Sequence, residues 1–403
     1  MRVELTGLVV VLLCGFGCAV STGHEMSQPG MRDADSRNGS VGAAGASIEA
    51  LRAAPWVGDY AIVYSDYFRE EDGTGEGQLR LAVPGQAPQV IELPPGSRLL
   101  DHLAVRPGTS EIAFSSYEAA TGSALAAHNV RILDVIDPAT TRVIDLPGSS
   151  HRPSWSPSGD RIAFWNESAG DEVDWNLLVS DLAGTITSVA PELHPERLNE
   201  EGPCFGANWS PDGIELMVPA HADGATGVRA YNVSTDGTGY ADVFDNGTYC
   251  GDYFSSDGTQ ILFDGVLDDA KGLWLVARDG SAKELLLPAS DEYRGQFRWS
   301  PDGSAIAFVE FDRDLGSAVL KVVDVESATV KTLANLETGV TAGRPQWSPD
   351  GKSIAFTAVN RNPDLDGFIQ LMVYSIETEE VFETYPLGRG IGGVTPQWIE
   401  LPR

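Results

Sequence analysis

Residues 295–308 read GQFRWSPDGSAIAF. The same phrase returns along the chain as WSPSGDRIAF from Trp155, WSPDGIELMV from Trp209, FSSDGTQILF from Phe254 and WSPDGKSIAF from Trp347. A degenerate copy, VRPGTSEIAF, starts at Val105. Anchored on the aromatic position, the copies begin at 105, 155, 209, 254, 299 and 347, in steps of 50, 54, 45, 45 and 48 residues. A period of about 40 to 50 residues containing several short strands is the signature of a propeller blade.

The spelling of one copy follows from its physics. Gln296 to Trp299 is a short extended run that ends in a bulky aromatic. Ser300-Pro301-Asp302-Gly303 is a type I turn, with φ preset by Pro at its second position and the chain released by Gly at its fourth. Ile306-Ala307-Phe308 returns, apolar throughout because it lies between neighbouring blades. The pair is a β-hairpin, and its Trp should wedge between blades, contributing roughly 2 to 3 kcal/mol by burial.

This repeat resembles the TolB-type β-propeller repeat, which carries the same aromatic-Ser-Pro-Asp-Gly turn followed by an Ile-Ala-Phe-like strand. The resemblance covers the chain from about residue 56 onward. It implies a fold rather than a role, since such propellers serve many. TolB itself has six blades and an extra N-terminal α/β domain, for which the sequence leaves no room.

Returning strands open at Ile62, Ile112, Ile162, Leu216, Ile261, Ile306 and Ile354, and third strands fall near Leu81, Ile132, Leu178, Ala230, Leu275, Val322 and Leu371. Seven of each predict an all-β, seven-bladed β-propeller over residues 55–403. Tyr60 to Ser65 matches a returning strand but has no turn motif before it, while Thr395-Pro396-Gln397-Trp398 matches Arg344-Pro345-Gln346-Trp347 and no returning strand follows. The C-terminal strand is therefore expected to complete the first blade, removing two exposed edges.

With 27 Lys plus Arg against 58 Asp plus Glu, a net charge of −31 excludes a general nucleic-acid binder, which needs a basic stripe. Residues 1–18 read as an export signal: Arg2, a short apolar run from Leu8 to Leu13, then Gly15-Phe16-Gly17-Cys18. The end of this segment looks like a bacterial lipoprotein signal with Cys18 as the lipidated residue; ordinary cleavage near Ala19-Val20-Ser21 is the alternative. Residues 19–54, rich in Gly, Ser and Ala, read as a flexible tether in which Ile48 to Ala54 has room for one or two helical turns.

Geometry sorts the loops. The Ser-Pro-Asp-Gly turns lie on one face of a propeller, and the loops around the channel mouth lie on the other, where ligands usually sit. His151, Arg152, Arg294 and Arg344 fall just before the innermost strands, and His102 takes in its blade the place of Arg152. Arginines converging on a mouth would grip a carboxylate or an acidic peptide; the plainer reading pairs each with a nearby acid and holds the ring together. Trp165 and Trp175 frame an acidic loop, either to stack a sugar or clamp a partner, or to fold back and cap the loop.

Asp364-Leu365-Asp366-Gly367, after Asn362, starts like a calcium loop but lacks the later Glu. Asp268-Asp269 and Asp312 with Asp314 sit in equivalent loops; all of these read more simply as solvated turns. No metal site or cofactor is expected, and neither a Gly-x-Ser-x-Gly nucleophile motif nor a Gly-rich phosphate loop occurs. Cys204 and Cys250 lie five and four residues before Trp209 and Phe254, in register on consecutive inner strands, so a disulfide is expected between them.

Together these readings predict an exported, monomeric and non-catalytic propeller that binds a protein or envelope component at its channel mouth. It would touch a membrane only through an N-terminal lipid. The alternative is a carbohydrate-active enzyme, a lyase or hydrolase, or a ligand sensor with its site at that mouth.

Overall fold

The computed structural model describes residues 51, 59–69, 75–82, 87–93, 97–118, 128–138, 141–168, 174–195, 206–222, 229–245, 252–312, 317–334, 340–360, 369–388 and 395–402. The returning strands are Tyr60–Arg69, Glu111–Glu118, Arg161–Glu167, Glu215–Ala222, Gln260–Leu267, Ala305–Asp312 and Ser353–Asn360. Each pairs antiparallel with the strand that follows it, from Gly75–Leu81 in the first unit to Ile369–Ser375 in the last. A further antiparallel strand lies outside each of those. The chain is an all-β propeller.

The first unit takes its inner strand from the other end of the chain. Thr395–Glu400 pairs antiparallel with Tyr60–Arg69, in a register that sets Trp398 opposite Ile62. The other inner strands are Ser97–Val105, Ser149–Trp155, Tyr293–Trp299 and Val340–Trp347, with the short Asn208–Trp209 in the fourth unit. In the fifth unit the inner strand shrinks to one bridge, Phe254 to Ile261.

Alternation along the returning strands builds the core. In the first unit Ile62 and Tyr64 face the seventh unit, against Ala355, Leu371 and Val373, while Ala61 and Val63 face Leu103, Ile112 and Phe114 of the second. Among the described residues such clusters fill every seam between neighbours, including the one joining last to first. Leu51, expected in the flexible tether, is instead buried in this core beside Ile399 and Leu401. An apolar side chain there gains more from burial than the tether would gain from freedom.

The turn that spells the repeat is a closed hydrogen-bonded box. The Gly303 N–H donates to the Ser300 carbonyl at 2.9 Å, and Gly303 stands at φ +74°, a left-handed value that any Cβ would strain. The Ser300 hydroxyl donates to Asp302 at 2.7 Å and accepts from the Ala305 N–H at 2.9 Å. The same box recurs at Ser210, Ser255 and Ser348.

The repeated aromatic joins one unit to the one before it. The indole N–H groups of Trp209, Trp347 and Trp398 donate to the backbone carbonyls of Ser154, Arg298 and Gln346 at 3.1, 3.1 and 2.9 Å. Arginines finish the joint on the turn face. Arg106 stacks over Trp155 and donates to the Gly159 carbonyl, and Arg161 stacks over Trp209 and donates to the Gly213 carbonyl. Arg278 lies over Phe254 and reaches back to Asp212 and Glu215 of the preceding unit.

Candidate functional site at the channel mouth

The Ser-Pro-Asp-Gly turns join the ends of inner strands to the starts of returning strands. The starts of inner strands and the ends of returning strands therefore gather on the opposite face, the mouth. There the inner strands break register at one recurring place: between Leu99 and Leu103, His151 and Ser154, Gly295 and Arg298, and Gly343 and Gln346. Arg152, Gln296 and Arg344 occupy these bulges at φ +53°, +58° and +53°. Each is three residues before its Trp. A side chain at such an angle costs about 1 kcal/mol, and strain of this kind gathers at functional positions.

The mouth residues expected just before the inner strands thus lie within them. A bulge admits an extra residue and re-aims its side chain, which a count back from the aromatic does not show. Arg344 is tied to its neighbour, since its N–H donates to the Gln296 side-chain oxygen. Gln296, absent from the sequence expectation, is the true counterpart of Arg152 and Arg344; the shared spacing to Trp299 was the signal. His102 has the equivalent place in Ser97–Val105, but its side chain is outside the described part.

Arg294 lies elsewhere in its strand and has partners. Its Nε donates to Glu310 at 3.1 Å and its terminal nitrogen to the Pro288 carbonyl at 2.8 Å. Lys321 binds the other oxygen of Glu310. Burial pushes the Glu310 carboxyl up, but the hydrogen bonds from Lys321 and Arg294 outweigh it and hold it below the usual range. Here the plainer reading, an arginine that holds the ring together, is what the geometry gives.

Trp165 and Trp175, expected to frame an exposed loop, are in strands and buried. Trp165 is fully enclosed within Arg161–Glu167, and Trp175 opens the strand Trp175–Asp181. Both pack in the seam with Trp209, Leu216 and Tyr231. Like the other returning strands, Arg161–Glu167 runs on past the Ile-Ala-Phe triplet that marks it in sequence, so an aromatic read as loop joins the core. His151 is also buried, its ring 5.4 Å from Trp175 and 4.8 Å from His128, with Nε2 4.0 Å from Glu167. Burial lowers the His128 pKa, with Glu167 opposing.

Nearer the axis, three consecutive inner segments meet. The Asp252 N–H donates to the Phe297 carbonyl at 2.9 Å, the Tyr253 N–H to the Asn208 side chain at 3.4 Å, and Arg298 lies 3.7 Å from the Asp252 carboxylate. Burial raises the Asp252 pKa, against the pull of Arg298.

Asp268 and Asp269 form a tight hairpin turn at φ +50° and +64°, with Lys283 3.0 Å from Asp268. Residues 361–368, Asp314, Cys18, Cys204 and Cys250 are outside the described residues. Among the described residues no three His, Cys, Asp or Glu side chains gather as metal ligands, and no helix is long and apolar enough to cross a membrane.

No family model matches the chain, and no curated protein matches it by sequence. Solved propeller structures do. The β-propeller domain of the trilobed protease from Pyrococcus furiosus aligns with a TM-score of 0.55 at 15% identity, over 81% of this chain and 92% of that one. An oligogalacturonate lyase in complex with manganese aligns at 0.52 and 17%, over 83% and 86%. TolB from Acinetobacter baumannii aligns at 0.47 and 16%, over 85% and 83%. At these identities the first two show a likeness of fold alone.

Proposed function

We propose that this chain is an exported, non-catalytic propeller whose seven strand units are the blades of one closed ring. Its mouth binds a protein or envelope component that presents carboxylates. One observation carries the reading. Arg152 and Arg344 are held at the same left-handed bulge of two inner strands, a strained backbone of the kind that gathers at functional positions. Guanidinium groups suit a carboxylate through their planar fork of donors. In a chain of net charge −31 they form a local exception that would steer an acidic partner to the mouth. Cys18 is the proposed lipid attachment point, with the following residues as the tether.

The test uses the full chain as bait in an envelope extract. A partner captured by the native protein should be lost on Arg344→Glu and weakened on Arg152→Glu, while both variants melt like the native protein. Equal capture by all three removes the mouth from the proposal. Turnover of oligogalacturonate by the purified protein, abolished in His151→Ala, would replace it with the carbohydrate-active enzyme. Palmitate labelling that persists in Cys18→Ser would remove the anchor.

A further inference from the structure

The seam between the fifth and sixth units is capped at the mouth by charge. Its apolar layer includes Leu262, Leu273, Phe297 and Phe308. Asp264 follows Leu262 by two residues and Glu310 follows Phe308 by two, so both carboxyls stand on the facing walls of this seam, above that layer. The charged groups around them are Lys271 on the strand paired with that of Asp264, Arg294 on the inner strand of the sixth unit, and Lys321 on its third strand. Glu310 holds Arg294 and Lys321. The Asp264 carboxyl, half-buried, makes no hydrogen bond or ion pair among the described residues and feels Arg294 and Lys271 only through space.

We infer that Asp264 is a proton-linked latch of this seam: charged, it competes with Glu310 for Arg294 and loosens the mouth; protonated, it leaves Arg294 to Glu310 and the seam closes. The chemistry is consistent, since burial pushes the Asp264 carboxyl up to about 6, against Arg294 and Lys271. A carboxyl raised in the folded state binds its proton more tightly there than in the unfolded chain. Its destabilising effect is therefore absent below the ordinary value of 3.8, grows as pH rises, and is complete above about 6.

The test compares the full chain with Asp264→Asn by thermal melting and by hydrogen exchange of residues 262–266 and 293–298. At about pH 8 the variant should melt higher and exchange more slowly in the seam, and by about pH 4 the two proteins should coincide. Arg294→Gln removes a cation that restrains the Asp264 pKa, so the pH at which the fall in stability is complete should move upward. Carboxyl-carbon NMR of the native protein reads the titration directly, whatever the variants do. A gap between native and Asp264→Asn that is the same at every pH, or no aspartate titrating above the ordinary range, overturns the latch.

Discussion

The two faces of this propeller are built by opposite rules. On the turn face four units repeat the same box of serine, aspartate and glycine, and the carboxylates of Asp212, Asp257 and Asp302 in it are held low. Asp302 is lowered first by its hydrogen bond from Ser300, and Asp257 first by that from Ser255. On the mouth face the backbone bulge recurs, but among the described residues the side chains around it differ from unit to unit. One place gathers the rings of His128, His151 and Trp175, another carries Asp264, Arg294 and Glu310, and Asp264 is raised rather than lowered. A repeated motif that satisfies each polar atom locally serves the fold. Varied groups that are strained or raised by burial are the resource for function.

The largest break in this comparison comes from a strand that both faces share. Deleting residues 394–403 removes the partner of Tyr60–Ser65, the indole bond from Trp398 to Gln346, and the buried Ile399 and Leu401. Three large buried side chains and a full ladder represent upward of about 5 kcal/mol, and the first returning strand becomes an open edge. The truncated chain should aggregate or melt far below the native protein in calorimetry. A truncated chain that melts normally would mean that closure is not what holds the ring.

The turn face should respond through stability and acid. Asp212 is held down to about 2, first by its hydrogen bond from Arg278 and against burial. A depressed carboxyl stabilises above its ordinary 3.8 and loses that contribution as pH falls through about 2. Arg278→Gln should therefore cost about 1 kcal/mol at neutral pH, a figure discounted for solvent exposure. The difference should shrink as pH falls from about 4 through about 2, while partner capture at the mouth is unchanged. Melting curves from neutral pH through this range check this. A loss of capture would mean that the faces are coupled.

How much was legible follows the same division. The repeat period, the order of strands and the borrowed C-terminal strand could all be read in advance, because the aromatic, the turn and the returning strand recur at fixed spacing. Trp165 misled because the returning strand runs three residues past the Ile-Ala-Phe triplet that marks it, and the repeat motif does not record where a strand ends. Arg294 and Gln296 exchanged roles because a bulge inserts a residue without any signature of its own. Asp264 was invisible: its importance comes from the wall that faces it, some fifty residues later in the chain, and nothing near it in sequence says so.

The smallest expected effect on stability is the sharpest test of the contrast. Arg344 stands at φ +53°, where glycine has no steric penalty. Arg344→Gly relieves strain of about 1 kcal/mol, and the greater freedom of glycine in the unfolded chain returns a similar amount. The bond from its backbone N–H to Gln296 survives, because it does not involve the side chain. The variant should melt within about 1 kcal/mol of the native protein and yet lose the partner at the mouth. By contrast Gly351, at φ +71° on the turn face, should lose roughly that much stability on replacement by alanine and keep the partner. If Arg344→Gly kept its partner, the strained arginine would be a feature of blade geometry alone, and the mouth would be built by the same rule as the turns.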